Sequence, residues 1–332
     1  MGDTEMTMRE ALNLALDQAL AADERVFLLG EDIADPGASG PTAGLSTKYG
    51  HERVLDTPIS EAAILGAAIG AAIDGLLPVA EIMIMDFIGI AADQLINNAA
   101  KLRFMTAGRT SAPITVRTQV YAGLATGATH SQSLEAWFMH IPGMKVIVPS
   151  TPRDGKGLLT SAIFDPDPCL FVETIRLQGK KGPVPTDAGF SIPLGQADIK
   201  RSGTDVSLIG YGRCVHDALA AADTLAERGV SAEVIDLRTL VPLDVETIVE
   251  SVRRTRRAVI VHDAVQFAGP GAEVAAILST ELFGELAAPI ERVAARFVPN
   301  PAAAALEAQV YPSSARIVEA AQRTCAGANV HG

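Results

Sequence analysis

Two residues combine a reactive side chain with a position where parallel-sheet proteins commonly bind ligands. Glu61 follows Ser60 in the stretch DTPISE and begins an almost wholly apolar segment, AAILGAAIGAAI. His130 lies in the Gly-rich stretch GATHSQS, between a predicted strand and a predicted helix. A carboxyl group and an imidazole are both suited to proton transfer near neutral pH. Glu61 and His130 are therefore the candidates for catalysis.

Each candidate also has an ordinary structural interpretation. A carboxylate in the first turn of a helix is favoured by the helix dipole and by free backbone amides, and this is the commoner role for a residue placed like Glu61. The apolar character of the helix that follows argues for a cleft or an interface instead. His130 can equally hold its loop through hydrogen bonds, and the local sequence leaves this choice open.

Three further stretches invite a functional interpretation. Phe87 follows the predicted strand VAEIMIM and can cover a flat ring ligand, although core packing is the commoner role of Phe. His262, after the apolar run AVIV, is a weaker candidate than His130. GPGAE at 269–273 is not a phosphate loop, because no Lys-Ser/Thr pair follows it. Tight strand-to-helix packing explains it better.

The elements around these residues alternate between strand and helix, which predicts an α/β fold with parallel sheets covered on both faces. The strands are predicted as continuous apolar runs, as burial on both faces requires. A Gly- and Pro-rich stretch, QGKKGPVPTDAGFSIPLG, is predicted to be a linker. Two domains are expected, over residues 1–185 and 186–332. Predicted strands before the linker are VFLLG, VAEIMIM, PITVRT, KVIV and CLFVE, with helices over 6–22, 60–75, 89–105 and 153–164 and around Trp137.

Composition narrows the functional classes. The chain has 332 residues, of which 48% are hydrophobic and 20% charged, as in a globular protein with a large core. Its net charge of −12 disfavours nucleic acid and anionic membranes as partners. The cysteines lack metal-ligand spacing and are expected to be free thiols in a reducing compartment: Cys169, Cys214 and Cys325. A cytoplasmic location is therefore expected.

Taken together, these stretches resemble the beta subunits of thiamine diphosphate-dependent 2-oxo acid dehydrogenases, of the pyruvate, acetoin and branched-chain types. The resemblance covers nearly the whole chain and follows the order of motifs in that family. DTPISE and HSQSLEA at this separation are its most specific parts. The resembling stretches are LLGEDIA, DTPISE, MDFIGIAADQLINNAAK, HSQSLEAWFMHIPGMKVIVPSTPRDGKGLL, EVIDLRTLVPLD and HDAVQFAGPGAE.

The resemblance implies a fold and a set of roles. The first domain would be of the thiamine pyrimidine-binding type, and the second would be of the transketolase C-terminal type, which mainly serves assembly. Glu61 matches the glutamate that hydrogen-bonds the aminopyrimidine ring, Phe87 the aromatic residue beside that ring, and Ile59 a residue lining the same pocket. His130 matches the active-site histidine. A structural potassium ion is implied, held largely through backbone carbonyls of Ile114, Ala162, Ile163, Asp165 and Asp167.

The resemblance also implies partners. Thiamine enzymes hold the diphosphate through Mg²⁺ and a GDG motif, and no GDG occurs in this sequence. A separate alpha subunit is therefore expected to hold the Mg²⁺ and the diphosphate, in an α2β2 assembly. The expected reaction is oxidative decarboxylation of a pyruvate-like 2-oxo acid, or cleavage of acetoin, with acyl transfer to a lipoyl-bearing acyltransferase.

Some positions depart from the family pattern and keep alternatives open. Thr129 stands where relatives usually have Gln, VYAGLATGA replaces a more Gly-rich run, and DPGASGPTAGL lacks an aromatic residue. These changes lie around the expected substrate entrance. One alternative is a split transketolase-like or acyloin-forming enzyme of a biosynthetic pathway. The other is a non-catalytic scaffold, which the presence of Glu61 and His130 argues against.

Overall fold

The computed structural model describes residues 2–34 and 40–326. The chain forms two compact units. The first comprises the residues up to Tyr121 together with Trp137–Leu194, and the second comprises Ala122–Ala136 together with the residues from Gly195 onward. The segment with the predicted catalytic histidine is thus grouped with the C-terminal part of the chain. No helix within the described residues is long and apolar enough to cross a membrane.

The first unit contains β1 Asp3–Thr7, α1 Met8–Ala22, β2 Val26–Gly30, α2 Leu45–Tyr49, β3 Val54–Asp56, α3 Glu61–Ile73, β4 Leu77–Ile84, α4 Ile88–Asp93, α5 Ala100–Met105, β5 Thr115–Val120, α6 Glu135–Met139, β6 Lys145–Ile147, α7 Pro152–Ile163, β7 Cys169–Thr174 and β8 Lys181–Pro185. Helix α6 begins in the last residues of the segment grouped with the second unit.

The main sheet of the first unit is parallel, as the apolar runs predict. Its strands lie in the order β6-β7-β5-β4-β2-β3. Every residue of β5 and of β7 is buried, which is the pattern expected of central strands covered on both faces. Helices α1 and α7 contribute Leu12, Leu16, Leu158 and Leu159 to a core that also contains Phe171 of β7.

The linker prediction was wrong for much of its length. Strand β8 pairs antiparallel with β1, from Asp3 opposite Pro185 to Thr7 opposite Lys181. Ile192 lies in the core of the first unit, and its backbone N–H donates to the carbonyl of Gly157 at 3.0 Å. Residues 186–194, assigned to the second domain from the sequence, therefore belong to the first compact unit. The Gly- and Pro-rich composition is atypical of a strand inside a sheet. Strand β8 tolerates it because β8 pairs with β1 alone, and Pro is acceptable in such an edge strand.

The predicted helix over 89–105 is helical from Ile88 to Met105, but it is not uniform. Its middle portion, Gln94–Ala99, has π-helical geometry between α4 and α5. A π turn inserts an extra residue into the helical ladder and often accompanies a functional site. A 3₁₀ turn, Met85–Phe87, leads from β4 into this helix and carries Phe87.

The second unit contains β9 Asp198–Arg201, β10 Val206–Gly210, α8 Arg213–Glu227, β11 Ala232–Asp236, β12 Thr239–Val241, α9 Val245–Thr255, β13 Ala258–Val265, α10 Pro270–Glu281, β14 Glu291–Ala295, α11 Ala304–Glu307 and α12 Ser314–Ala326. Its sheet has the order β14-β13-β10-β11-β9, parallel except for the edge strand β9. Helices α8 and α12 share one apolar cluster with its strands.

Candidate functional site

Glu61 begins helix α3, as the sequence predicts. The chain leaves β3 at Asp56, and the N–H of Thr57 donates to the carbonyl of Gly30 at 2.9 Å, which fixes the path from sheet to helix. The Ser60 side chain makes no capping bond. Glu61 is only 6% exposed, although it carries a carboxyl group at the start of an apolar helix. A carboxylate in this position needs a partner, since burial of an unpaired charge is unfavourable.

Glu31 is a second carboxyl group near Glu61 that the sequence analysis missed. It follows β2 directly, and its Oε1 is buried with no hydrogen-bond partner within the described residues. Burial raises the pKa of Glu31, and the neighbouring charges of Glu61 and Asp32 raise it further. The available signal was its place at the end of the apolar run VFLLG, where a parallel strand presents its carboxyl end.

Ile59, Glu61 and Phe87 lie at the same edge of the first sheet. Strands β3, β2 and β4 are parallel neighbours, so the residues that follow them gather at their shared carboxyl ends. Ile59 is 80% exposed, which is unusual for a large apolar side chain two residues before a buried carboxyl group. Phe87 is half-buried in the turn after β4. An apolar side chain, an aromatic ring and a carboxyl group form a combination suited to a flat heterocycle.

His130 is partly buried in an irregular segment of the second unit. Its ring Nδ1 lies 3.0 Å from the hydroxyl of Thr129. Thr126 Oγ1 donates to the carbonyl of His130 at 2.9 Å and lies 2.6 Å from Ser131 Oγ. The loop is therefore ordered around the histidine. His130 is in a different compact unit from Ile59, Glu61 and Phe87.

The same segment ends at a buried carboxyl group, Glu135. Tyr211 Oη donates to Glu135 Oε1 at 2.7 Å, and Glu135 Oε2 has no partner within the described residues. The Tyr211 ring stacks on His262, with 6.2 Å between the ring centroids. Burial lowers the pKa of His262 to about 4, so this histidine stays neutral near pH 7 and fits a packing role.

The five residues predicted to bind potassium lie around the amino ends of β5 and β7. The carbonyl of Ile114 accepts from the N–H of Cys169 at 2.9 Å, and that of Ala162 accepts from the N–H of Asp165 at 3.2 Å. Both carboxylates in this region are already paired, Asp165 with Lys145 at 2.6 Å and Asp167 with Arg103 at 2.5 Å.

Since those carboxylates are paired, a cation in this region would have to be bound by backbone carbonyls rather than by the acidic side chains. Within residues 2–34 and 40–326, no group of three or more His, Cys, Asp or Glu side chains is arranged to hold a metal ion.

Two known protein families match this chain. Residues 4–179 match the family described as "Transketolase, pyrimidine binding domain", and residues 195–317 match "Transketolase, C-terminal domain". A solved structure titled "Split gene transketolase, inactive beta4 tetramer" has a TM-score of 0.78, covers 97% of this chain and 98% of its own, and is 22% identical. At that identity the likeness concerns the fold alone. The fold and the matched domains define a chain of the transketolase-like class.

Similar curated proteins narrow the class. The beta-2 subunit of the mitochondrial pyruvate dehydrogenase E1 component of Oryza sativa subsp. japonica is 47% identical, covering 97% of this chain and 86% of that protein. The beta subunit of acetoin:2,6-dichlorophenolindophenol oxidoreductase of Cupriavidus necator is 46% identical, with 97% and 98% covered. Its Bacillus subtilis counterpart is 45% identical, with 94% and 95% covered. The chain belongs to this family of pyruvate and acetoin dehydrogenase beta subunits, which confirms the resemblance.

Proposed function

We propose that this chain is the beta subunit of a thiamine diphosphate-dependent dehydrogenase that acts on a pyruvate-like 2-oxo acid or on acetoin, and that it supplies the pyrimidine half of the active site. The observation that carries the proposal is the buried Glu61 at the start of α3, inside the part of the chain that matches the pyrimidine-binding family. The names of the similar curated proteins support this choice of substrates.

The residues at the edge of the first sheet fit an aminopyrimidine. When bound, thiamine diphosphate supplies a thiazolium carbon that adds to the substrate carbonyl and accepts the electrons released on cleavage. Glu61 would bond the ring nitrogen, where a carboxyl group both holds the ring and exchanges a proton with it. Phe87 would lie beside the ring, and Ile59 would line the pocket. His130 would donate a hydrogen bond to the substrate's carbonyl oxygen, where negative charge develops.

The diphosphate half of the site is assigned to an alpha subunit. The sequence has no GDG motif, so Mg²⁺ and the diphosphate would be bound by that partner. Isothermal titration calorimetry tests this assignment. The isolated chain should bind thiamine diphosphate weakly whether or not Mg²⁺ is added, whereas the chain co-purified with an alpha subunit should bind it tightly. Tight, Mg²⁺-dependent binding by the isolated chain would refute the two-subunit proposal.

Transfer of the acyl group to a lipoyl-bearing acyltransferase distinguishes a dehydrogenase from an acyloin-forming enzyme. Products formed from pyruvate by the assembled complex should include acetylated lipoamide when lipoamide is supplied. Condensation products that form equally well with and without lipoamide would favour an enzyme that passes the two-carbon unit to an aldehyde.

A potassium ion is proposed at the carbonyls of Ile114, Ala162, Ile163, Asp165 and Asp167. Lys145 and Arg103 already neutralise the two carboxylates. A monovalent cation bound by carbonyl dipoles is therefore favoured over a divalent cation, which prefers carboxylate ligands. The thermal unfolding midpoint of the complex should rise when KCl replaces NaCl at constant ionic strength. Equal midpoints in the two salts would argue against the ion.

A further inference from the structure

The loop that carries His130, here called the histidine loop (residues 122–131), is held by polar side chains from residues 300–311. All of these residues belong to the second compact unit. Three of the side chains involved are Asn300, Glu307 and Tyr311. The C-terminal domain, whose implied role was mainly assembly, therefore also supports a loop with a proposed catalytic residue.

Glu307 anchors the loop on the amino side of His130. Its carboxylate is 2% exposed and accepts the N–H of Gly123 at 3.1 Å and the N–H of Ala125 at 2.6 Å. Gly123, Ala125 and Gly127 all have positive φ, at 83°, 56° and 87°. Positive φ at every second residue directs N–H groups of the loop toward the same side, where they bind an anion.

The conformation at Ala125 needs support from elsewhere in the fold. A residue with a Cβ atom avoids positive φ, so Ala125 keeps this conformation only where surrounding contacts impose it. The Glu307 carboxylate supplies that contact, and within the described residues its only hydrogen bonds are to the two loop amides. The carboxylate and the loop conformation are therefore mutually dependent.

A second anchor lies immediately after His130. The carbonyl of Ser131 accepts from Asn300 Nδ2 at 3.0 Å and from Tyr311 Oη at 2.7 Å, and Ser131 is fully buried. Between the two anchors, Thr126 Oγ1 donates to the His130 carbonyl. The backbone of the histidine is thereby fixed on both sides, and its ring Nδ1 lies 3.0 Å from the Thr129 hydroxyl.

We infer that Glu307 is a positioning residue for His130: its carboxylate sets the loop conformation that presents the imidazole to the substrate. This inference rests on the proposed function, in which His130 contacts the substrate. A displacement of about 1 Å in a group that acts on a reacting centre can lower turnover by up to about 10²-fold. Loss of the Glu307 carboxylate should therefore lower kcat while leaving KM and cofactor affinity unchanged.

The test uses the complex assembled with an alpha subunit and measures consumption of pyruvate with an artificial electron acceptor. Glu307→Gln keeps the side chain's size but places an amide N–H₂ against a backbone N–H, so kcat should fall by roughly 10–100-fold. Glu307→Asp keeps the charge and should restore part of the turnover. Glu233→Gln is the matched control, because Glu233 is a buried carboxylate of the same unit that bonds Ser251 and Arg254 instead of the loop.

A double-mutant cycle with His130→Ala separates positioning from general destabilisation. If Glu307 acts through His130, the change Glu307→Gln should have no further effect on kcat in the His130→Ala complex. Losses that multiply in the double variant, or unchanged kcat in Glu307→Gln, would overturn the inference. Normal turnover of His130→Ala alone would instead overturn the proposed role of the histidine.

A second variant covers the case in which Glu307→Gln prevents assembly. Asn300→Ala removes one of the two donors to the Ser131 carbonyl, on the other side of His130, without changing any charge. A smaller loss of kcat is expected because Tyr311 still donates, with the same absence of a further loss in the His130→Ala background. Multiplicative losses with Asn300→Ala would also overturn the inference.

Discussion

At the scale of single residues, Glu61 is the side chain on which the proposed chemistry most depends. Glu61→Gln is nearly isosteric but removes the acidic proton, so we expect kcat to fall by about 10²–10⁴-fold with assembly unchanged. Turnover of the complex and light scattering measure these two properties. Glu52→Gln, at an exposed position of the same unit, is the control and should be neutral. Near-normal turnover of Glu61→Gln would mean that Glu61 is only a helix-start residue.

Glu135 gives the second residue-scale prediction. Burial raises its pKa to about 7, with a further increase from Asp263, while the hydrogen bond from Tyr211 acts in the opposite direction. Between the ordinary carboxyl pKa of about 4.3 and pH 7, the folded state therefore holds a proton that the unfolded state has lost. The stability contribution of Glu135 is fully present below the unfolded pKa and is lost as the pH rises through the folded pKa.

Glu135→Gln should remove this dependence. Thermal midpoints of the complex, measured between about pH 5 and pH 8, should fall less steeply with pH for Glu135→Gln than for the unmodified protein. Glu319→Gln, which alters an exposed carboxyl group of the same unit, should follow the unmodified protein. Parallel curves for Glu135→Gln and the unmodified protein would show that Glu135 is ionised throughout this range.

At the scale of elements, the junction of β1 and α1 shows how a local motif fixes a helix start. Thr7 Oγ1 accepts the N–H of Glu10 at 3.2 Å, and the N–H of Thr7 donates to the Glu10 carboxylate at 2.7 Å. Thr7→Ala should lower the free energy of unfolding by about 0.5–2 kcal/mol, measured by thermal or urea denaturation. Thr4→Ala, in the same strand at an exposed position without a capping role, should have a smaller effect. Equal effects would contradict the capping argument.

The predictability of the elements depends on how locally each one is determined. Strand β7 could be predicted because it begins with the apolar run CLFV, as burial on both faces requires. Strand β5, TVRTQV, is equally buried but is not continuously apolar, because Arg117 is paired there with Glu81 and Glu173. Strand β8, KGPVP, could not be predicted in this way, because it contains two prolines. It is stabilised by pairing with β1, which is far from it in the sequence. The bond from Gly123 to Glu307 spans 184 positions, and no local pattern indicates such a contact. The position of Glu61 at a helix start was predictable because its motif and the apolar helix that follows are contiguous in the sequence.

At the scale of the whole molecule, the first unit exposes large apolar side chains that suit an assembly. Helix α3 buries Ile64, Leu65 and Ile69 yet leaves Ile73 49% exposed. Further exposed side chains of the unit are Ile59 at 80%, Ile90 at 63%, Phe104 at 90% and Met105 at 63%. Exposed apolar surface of this kind is typical of subunit interfaces.

The expected assembly is a heterotetramer with two copies of each chain, because two-fold pairing is the common way to cover such surfaces. Multi-angle light scattering of the co-expressed subunits should give a mass for two alpha and two beta chains. An active and stable one-to-one heterodimer would refute the stoichiometry. A fully active monomer of this chain would refute the interface argument altogether.

The grouping of residues 122–136 with the C-terminal half matters for chimeric proteins made by recombining two related sequences. A crossover placed near residue 194, between the two matched domains, would join a histidine loop from one parent to a Glu307 region from another. Chimeras of this kind inherit the loop and its anchors separately. Activity of such hybrids should therefore depend on whether residues 122–136 and 300–311 come from the same parent, and a functional exchange would transplant both segments together.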